Sequence, residues 1–288
     1  MTKIKYFLLL IVASLVFYNC TGGSGEPEPF DHEAQALIDN DSLVSFLQKH
    51  YFDTSIDSIK PLVAGETALL DDVNLHTQNI TEDEIDYTLY YYVNNIGTPS
   101  PVKDFPTKMD SIFVKYQGIE IATTDSLSVF ETKTTPIWFT LNGVIRGWSY
   151  GFTNFKSGEN VTDNGPITYV NGGQGILFIP SGLAYRNSGT LTIPANSNLL
   201  FYIHLWDIVE GTDHDNDGLA SSLEDPDGDG DPRNDDTDGD LYPNYVDVDD
   251  DGDGTLTKDE DANGDGDPRN DFSGESTTLP DYLNPDVS

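Results

Sequence analysis

Two stretches of the sequence carry carboxylates at a spacing suited to holding a cation. They read "DHDNDGLASSLE" at 213–224 and "DDDGDGTLTKDE" at 249–260, offset by 36 residues. Each has acidic residues at positions one, three and five, Gly at six and Glu at twelve, the pattern of a calcium loop. Alternate oxygens can wrap a sphere of about 2.3–2.6 Å radius, the glycine permits the sharp turn, and the last Glu can chelate through two oxygens. The expected ligands are Asp213, Asp215, Asp217 and Glu224 with the Leu219 carbonyl, then Asp249, Asp251, Asp253 and Glu260 with the Thr255 carbonyl. Asp225, Asp227, Asp229, Asp236, Asp238, Asp240 and Asp247 lie between them at similar spacing and are further candidates. "GDGDPRND" at 228–235 recurs at 264–271 with the same offset, whereas "DTDGD" becomes "FSGES", so the site of Asp236, Asp238 and Asp240 has no second copy.

A different chemistry is written into "LNGVIRGWSYG", residues 141–151, where Val144-Ile145 runs into Trp148 between Gly147 and Gly151. An indole in such a stretch is core filler or the floor of a pocket. The chain has no grouping of Ser, His and Asp, or of Cys and His, that reads as a nucleophile and its base; His32, His50, His76 and His204 are scattered.

The elements that must position these residues follow from the texture of the chain. "HEAQALIDNDSLVSFLQKHYFD" has Leu43, Phe46 and Leu47 at helical spacing and Asp41 as the expected N-cap. From Asp86, the runs "YTLYYYV", "SIFVKYQG", "PIWFTL", "GILFIPS" and "NLLFYIHLWDI" are β-branched and aromatic, broken by Gly, Pro, Asn and Ser. One short helix is expected near Val144, ending before Lys156. The fold class is α+β: five or six antiparallel strands wrapped as a half-barrel on that helix, followed by an Asp-rich tail with little regular structure.

"SIFVKYQG", "VFET", "PIWFTLNGVIRGWSYGF", "IPSGLAY" and "IPANSNLLFYIHL" occur in the order and approximate spacing of FKBP-type peptidyl-prolyl cis–trans isomerases, and residues 86–208 resemble that family. The resemblance implies a pocket walled by Tyr116 and Phe130, with Glu131 where the family usually has Asp. Val144 and Ile145 line its entrance, and the Ile145 N–H is open to a substrate carbonyl. Trp148 is the floor, Tyr185 offers its hydroxyl, and Ile193 and Phe201 close the side. It implies catalysis without a cofactor. Ile137 stands where many members have an aromatic, implying a thinner wall. Arg186 follows "LAY" where Gly is usual, and residues 159–174 form an insertion that reads as a flap, a specificity loop or a longer hairpin. The run "DPDGDGDPRNDDTDGDLYPNYVDVD" resembles thrombospondin type 3 and related repeats, in which calcium takes the place of a hydrophobic core.

Charge agrees with cation binding. The formal net charge is −36, and residues 211–288 alone carry 26 acidic against 3 basic residues. Nucleic-acid binding is excluded, because phosphate contacts need a positive face. The start, "MTKIKYFLLLIVASLVFYNC", has the basic and apolar regions of a secretory signal ending in the single cysteine, Cys20, and resembles a lipoprotein signal. The expected organisation is a signal at 1–20, a flexible linker at 21–30, a partly helical accessory segment at 31–85, the isomerase-like domain at 86–208 and two Asp-rich repeats at 211–288. The expected partners are proline-containing polypeptides and, through a lipid on Cys20, the membrane, on an exported bacterial protein. Without calcium the tail is expected to expand, since so many carboxylates cannot be packed unpaired. Three functions fit: an exported isomerase, a non-catalytic peptide-binding module, and a calcium-dependent surface protein.

Overall fold

The computed structural model describes residues 29–273 and 278–287; the expected signal, Cys20 and nearly all of the linker lie outside them. Helix α1 (His32–Lys49) leads into a small ribbon, β1 (His50–Asp53) with β2 (Ser58–Pro61). A six-stranded sheet follows, built from β3 (Leu75–Glu82), β4 (Ile85–Asn95), β5 (Ser111–Thr123), β6 (Ser126–Thr140), β9 (Gly173–Ile179) and β10 (Leu199–Val209). Its order is β3-β4-β9-β10-β5-β6, antiparallel throughout. Between β6 and β9 lie helix α2 (Arg146–Gly151) and the two-residue strands β7 (Glu159–Asn160) and β8 (Tyr169–Val170).

Period-two alternation assigns the two faces. Tyr87, Leu89, Val114, Tyr116, Leu177, Ile179, Phe201 and Ile203 point to one side, where Trp148, Phe152 and Phe155 of the α2 region complete a buried core. Tyr90, Tyr92, Ile119, Ile121, Ile176, Phe178 and Leu200 point to the other, where Leu43, Phe46 and Leu47 of α1 cover them. Each such buried side chain contributes about 1.5–3 kcal/mol, so neither face is stable uncovered. The helix sits close because of glycine: a Cβ on Gly147 would stand 2.3 Å from Ile179 Cγ2.

Two expectations are corrected. The first helix does not start at Asp41, which is exposed in its middle, but nine residues earlier; the good helix formers of "EAQAL" carry it back to His32. The boundary at residue 86 cuts through a sheet. β3 pairs along its length with β4, and α1 is the lid of the sheet's second face, so 31–85 is integral to the fold.

The acidic tail is wound into turns and short 3-10 segments within the same compact unit, His32–Ser288. Its apolar cluster is only Leu219, Tyr282 and Leu283 among the described residues.

Candidate active site

The concave side of the sheet and α2 enclose a cavity of about 600 Å³. Of the nine residues expected there, Tyr116, Phe130, Glu131, Val144, Ile145, Trp148, Tyr185 and Phe201 line it. Ile193 does not; it is buried in the adjoining core, at 4% exposure. Phe139, Gly143, Arg146, Ala184 and Arg186 also line the cavity and were not expected. Phe139 corrects the thin wall. Ile137 is exposed, and the aromatic stands two residues later on the same face of β6, opposite Ile112 and packed on Trp148.

Trp148 is the floor. Tyr116, Phe139 and Phe201 meet its ring edge to face, at centroid distances of 4.8, 5.5 and 5.2 Å and interplanar angles of 81–89°. Aromatic rings favour this arrangement because the positive edge of one meets the negative face of another. The indole Nε1–H is buried and donates to no described group. Phe130 packs at right angles to Phe201, 5.7 Å away, above Gly118, where a Cβ would lie 2.5 Å from the Phe130 ring.

Polar groups are few and mostly committed. Tyr116 donates its hydroxyl to Glu131 Oε2 at 2.7 Å, and Lys133 pairs with the other oxygen at 2.9 Å. The Tyr116 bond holds the Glu131 carboxyl below its ordinary range. Burial, aided by the Glu131 charge, pushes the Tyr185 hydroxyl up. Ile145 is the N-cap of α2, so its N–H lies ahead of the helix ladder.

Arg186 occupies the left-handed region at φ +51°, which explains why glycine is usual in this place. Its N–H reaches Ser181 O at 2.9 Å and its guanidinium pairs with Asp83, so the loop is held down by side-chain bonds that glycine lacks. The insertion at 159–174 does not cover the cavity. It forms the β7–β8 hairpin, and Tyr169 stands against Trp206 at 5.5 Å and donates to Asp207 at 2.6 Å.

Behind α2, the tail touches this site through Glu82, at 8% exposure on the end of β3. Arg233 forks its two oxygens at 2.9 and 3.2 Å, Arg146 reaches one at 3.1 Å, and Tyr150 donates to the other at 3.0 Å. Burial opposes the Glu82 charge, but these donors win and lower its pKa.

The tail itself repeats one local device five times, starting at Asp213, Asp225, Asp236, Asp249 and Asp261. In each, the first carboxylate accepts the N–H of the sixth residue, at 3.2, 2.8, 3.1, 3.1 and 2.7 Å. The fifth loop was not expected from the sequence, because Asn263 interrupts its acidic pattern. Carboxylate oxygens gather within 4.8 Å in 213/215/217, 225/227/229, 236/238/240 and 249/251/253. Asp247 faces the third set, whose charges with burial raise its pKa. Glu224 and Glu260 are buried, with both carboxylate oxygens lacking a partner. Burial and neighbouring carboxylates push Glu224 up to about 10 and Glu260 to about 8. Thr255 is half-buried beside the fourth set, and Leu219 joins Tyr282 and Leu283.

Residues 102–206 match the FKBP-type peptidyl-prolyl cis-trans isomerase family. The chain is 32% identical over 126 residues to FK506-binding protein 2 of Debaryomyces hansenii, covering 83% of that protein and 42% of this one. The chain belongs to the FKBP-type peptidyl-prolyl cis–trans isomerase family. The match to FkpA of Escherichia coli K12 is 32% identical over 120 residues, 42% of this chain, and spans only 37% of that relative's length. The crystal structure of E. coli FkpA is 30% identical at a TM-score of 0.34, covering 46% of this chain and 53% of that one. Residues 214–286 match a second family, described as BamM C-terminal, which is different from the thrombospondin type 3 repeats that the Asp-rich spacing resembles.

Proposed function

We propose that this protein isomerises Xaa-Pro bonds of exported polypeptides in the Trp148 pocket, with a calcium-bound tail and a lipid anchor on Cys20. The carrying observation is the apolar cup itself: Trp148, Tyr116, Phe139 and Phe201 enclose a space of suitable size for a proline ring and its neighbours.

Rotation about the X–Pro bond must break amide resonance, against a barrier of about 18–20 kcal/mol. The twisted amide has a less polar carbonyl than the planar one. A water-poor aromatic cup therefore favours it over the ground state, which is differential binding of the transition state. The Ile145 N–H and the Tyr185 hydroxyl are placed to orient the peptide. Glu131, held by Tyr116 and Lys133, has no proton to move, and the mechanism needs none.

Calcium suits the tail because buried carboxylate oxygens without donors occur in four of its loops, at Asp215, Asp217, Glu224, Asp235, Asp249, Asp251, Asp253, Glu260 and Asp271. Hard oxygen donors of this kind hold a calcium-class ion and not a thiolate-loving metal.

The test is turnover of a short Xaa-Pro peptide by the full chain, followed by exchange spectroscopy, beside Trp148→Leu. The variant is expected to lose about 100-fold in kcat/KM, roughly 2.7 kcal/mol of barrier. A folded wild type without acceleration would leave a peptide-binding module; a folded Trp148→Leu with normal turnover would remove the pocket from the mechanism.

A further inference from the structure

The tail brings together three carboxylates that no single loop supplies. Asp217 and Glu224 belong to the first loop, and Asp250 is the second residue of the fourth, a position outside the alternating ligand pattern. Their exposures are 1%, 0% and 2%. One oxygen from each lies within 4.8 Å of the others. Both oxygens of Glu224, both of Asp250 and Oδ2 of Asp217 have no hydrogen-bond partner, and none of the three takes part in an ion pair of the described residues.

Carboxylates so buried cannot stand charged against each other without a cation. Oxygens up to 4.8 Å apart are those that a sphere with metal–oxygen distances near 2.4 Å touches on opposite sides. Magnesium, at about 2.0–2.1 Å, asks for a tighter octahedron, and zinc prefers nitrogen and sulfur. Asp250 is held in place by its own loop: its N–H reaches Thr257 Oγ1 at 3.3 Å, and Thr257 N–H reaches Val248 O at 3.0 Å. Asp217 is aimed by its other oxygen, which accepts Leu219 N–H at 2.8 Å.

We infer that Asp250 is a ligand to a calcium-class ion shared with Asp217 and Glu224, so that an ion closes the two 36-residue copies on each other. The inference rests on the calcium reading of the tail and adds a cross-repeat ligand to it. The small Leu219–Tyr282–Leu283 cluster is too slight to do this by packing alone.

The test is a calcium titration of the full chain, read by calorimetry and by amide exchange of residues 211–287. Asp250→Asn is expected to weaken the first-loop ion by about tenfold or more, and Glu224→Gln likewise. The double variant should lose little beyond either single one, because ligands to one ion are coupled. Asp259→Asn, which removes the same charge from an exposed position of the fourth loop, should titrate as wild type. An Asp250→Asn chain whose tail becomes protected only at about tenfold or more higher calcium, beside a normal Asp259→Asn, supports the inference. Unchanged affinity in Asp250→Asn, or strictly additive losses, overturns the shared ligand and leaves the calcium loops standing. A wild type that takes up no calcium and keeps its tail protected in chelator overturns both.

Discussion

Glu131 in the cavity and Glu224 in the tail are the same residue type with opposite fates. Glu131 has a donor, the Tyr116 hydroxyl, and its pKa is lowered. Glu224 is sealed from water facing Asp217, Asp215 and Asp250, and is pushed up to about 10. The isomerase-like domain thus gives its buried carboxylates, Asp39, Glu82 and Asp110, donors from its own chain. The tail leaves many buried carboxylate oxygens without a donor, which is the basis of the calcium proposal. One region is complete as a folded chain; on the calcium proposal, the other is complete only with its ions.

Chelation is the strongest way to break that contrast. Calcium removal at neutral pH is expected to reduce amide protection across 211–287 on the order of 100-fold while β4, β9 and β10 stay protected. The metal-free tail should also respond to pH in a defined direction. Glu224 at about 10 and Asp250 at about 9 are raised above the ordinary 4.5 and 3.8, so their contribution is intact in acid and is lost as pH rises towards 9. A chelated tail that grows more ordered with rising pH contradicts the contrast.

The contact between the regions comes next. Arg233→Ala removes the fork on Glu82 and should cost about 2–4 kcal/mol of tail docking, read by chemical denaturation in saturating calcium. Arg146 and Tyr150 still hold Glu82, so turnover should change by less than about threefold. A larger loss would mean that the tail positions the α2 helix during catalysis.

A smaller effect is expected from Leu241. It sits at φ +83° in the third loop, where the other four loops have Gly218, Gly230, Gly254 and Gly266, and is 87% exposed. Leu241→Gly relieves the left-handed strain without loss of packing and should add roughly 1 kcal/mol to the melting of the calcium-loaded tail. Smallest of all is the pH response of catalysis. The lowered Glu131 keeps its bond to Tyr116 until pH falls below the ordinary carboxylate range, and Tyr185 is raised above 10. Hence kcat/KM should be flat between about pH 5.5 and 8.5, and a bell centred there would reveal an acid or base that the pocket does not display.

Much of this was legible in the residues. Aromatic and β-branched runs at regular spacing mark strands in any context, and the ordered pocket motifs named eight of the lining residues because their family spacing is preserved. Phe139 and Arg186 were harder. Ile137 and Phe139 share one face of β6, and which of them lines the cavity depends on where Trp148 packs, a tertiary contact that the strand alone does not show. The role of Arg186 depends on Asp83, which reaches it only after β3 has joined the sheet.

The alternation of acidic residues and glycine determined four of the tail's loops, since a short turn and its carboxylates are local and their geometry is set within twelve residues. Sequence also determined the apolar character of the pocket, since hydrophobicity belongs to each side chain. Only the tertiary structure decided that α1 and β3 belong to the sheet, that Arg233 meets Glu82, and that Asp250 faces Glu224. These pairings join distant parts of the chain, and burial of one against the other is what settles them.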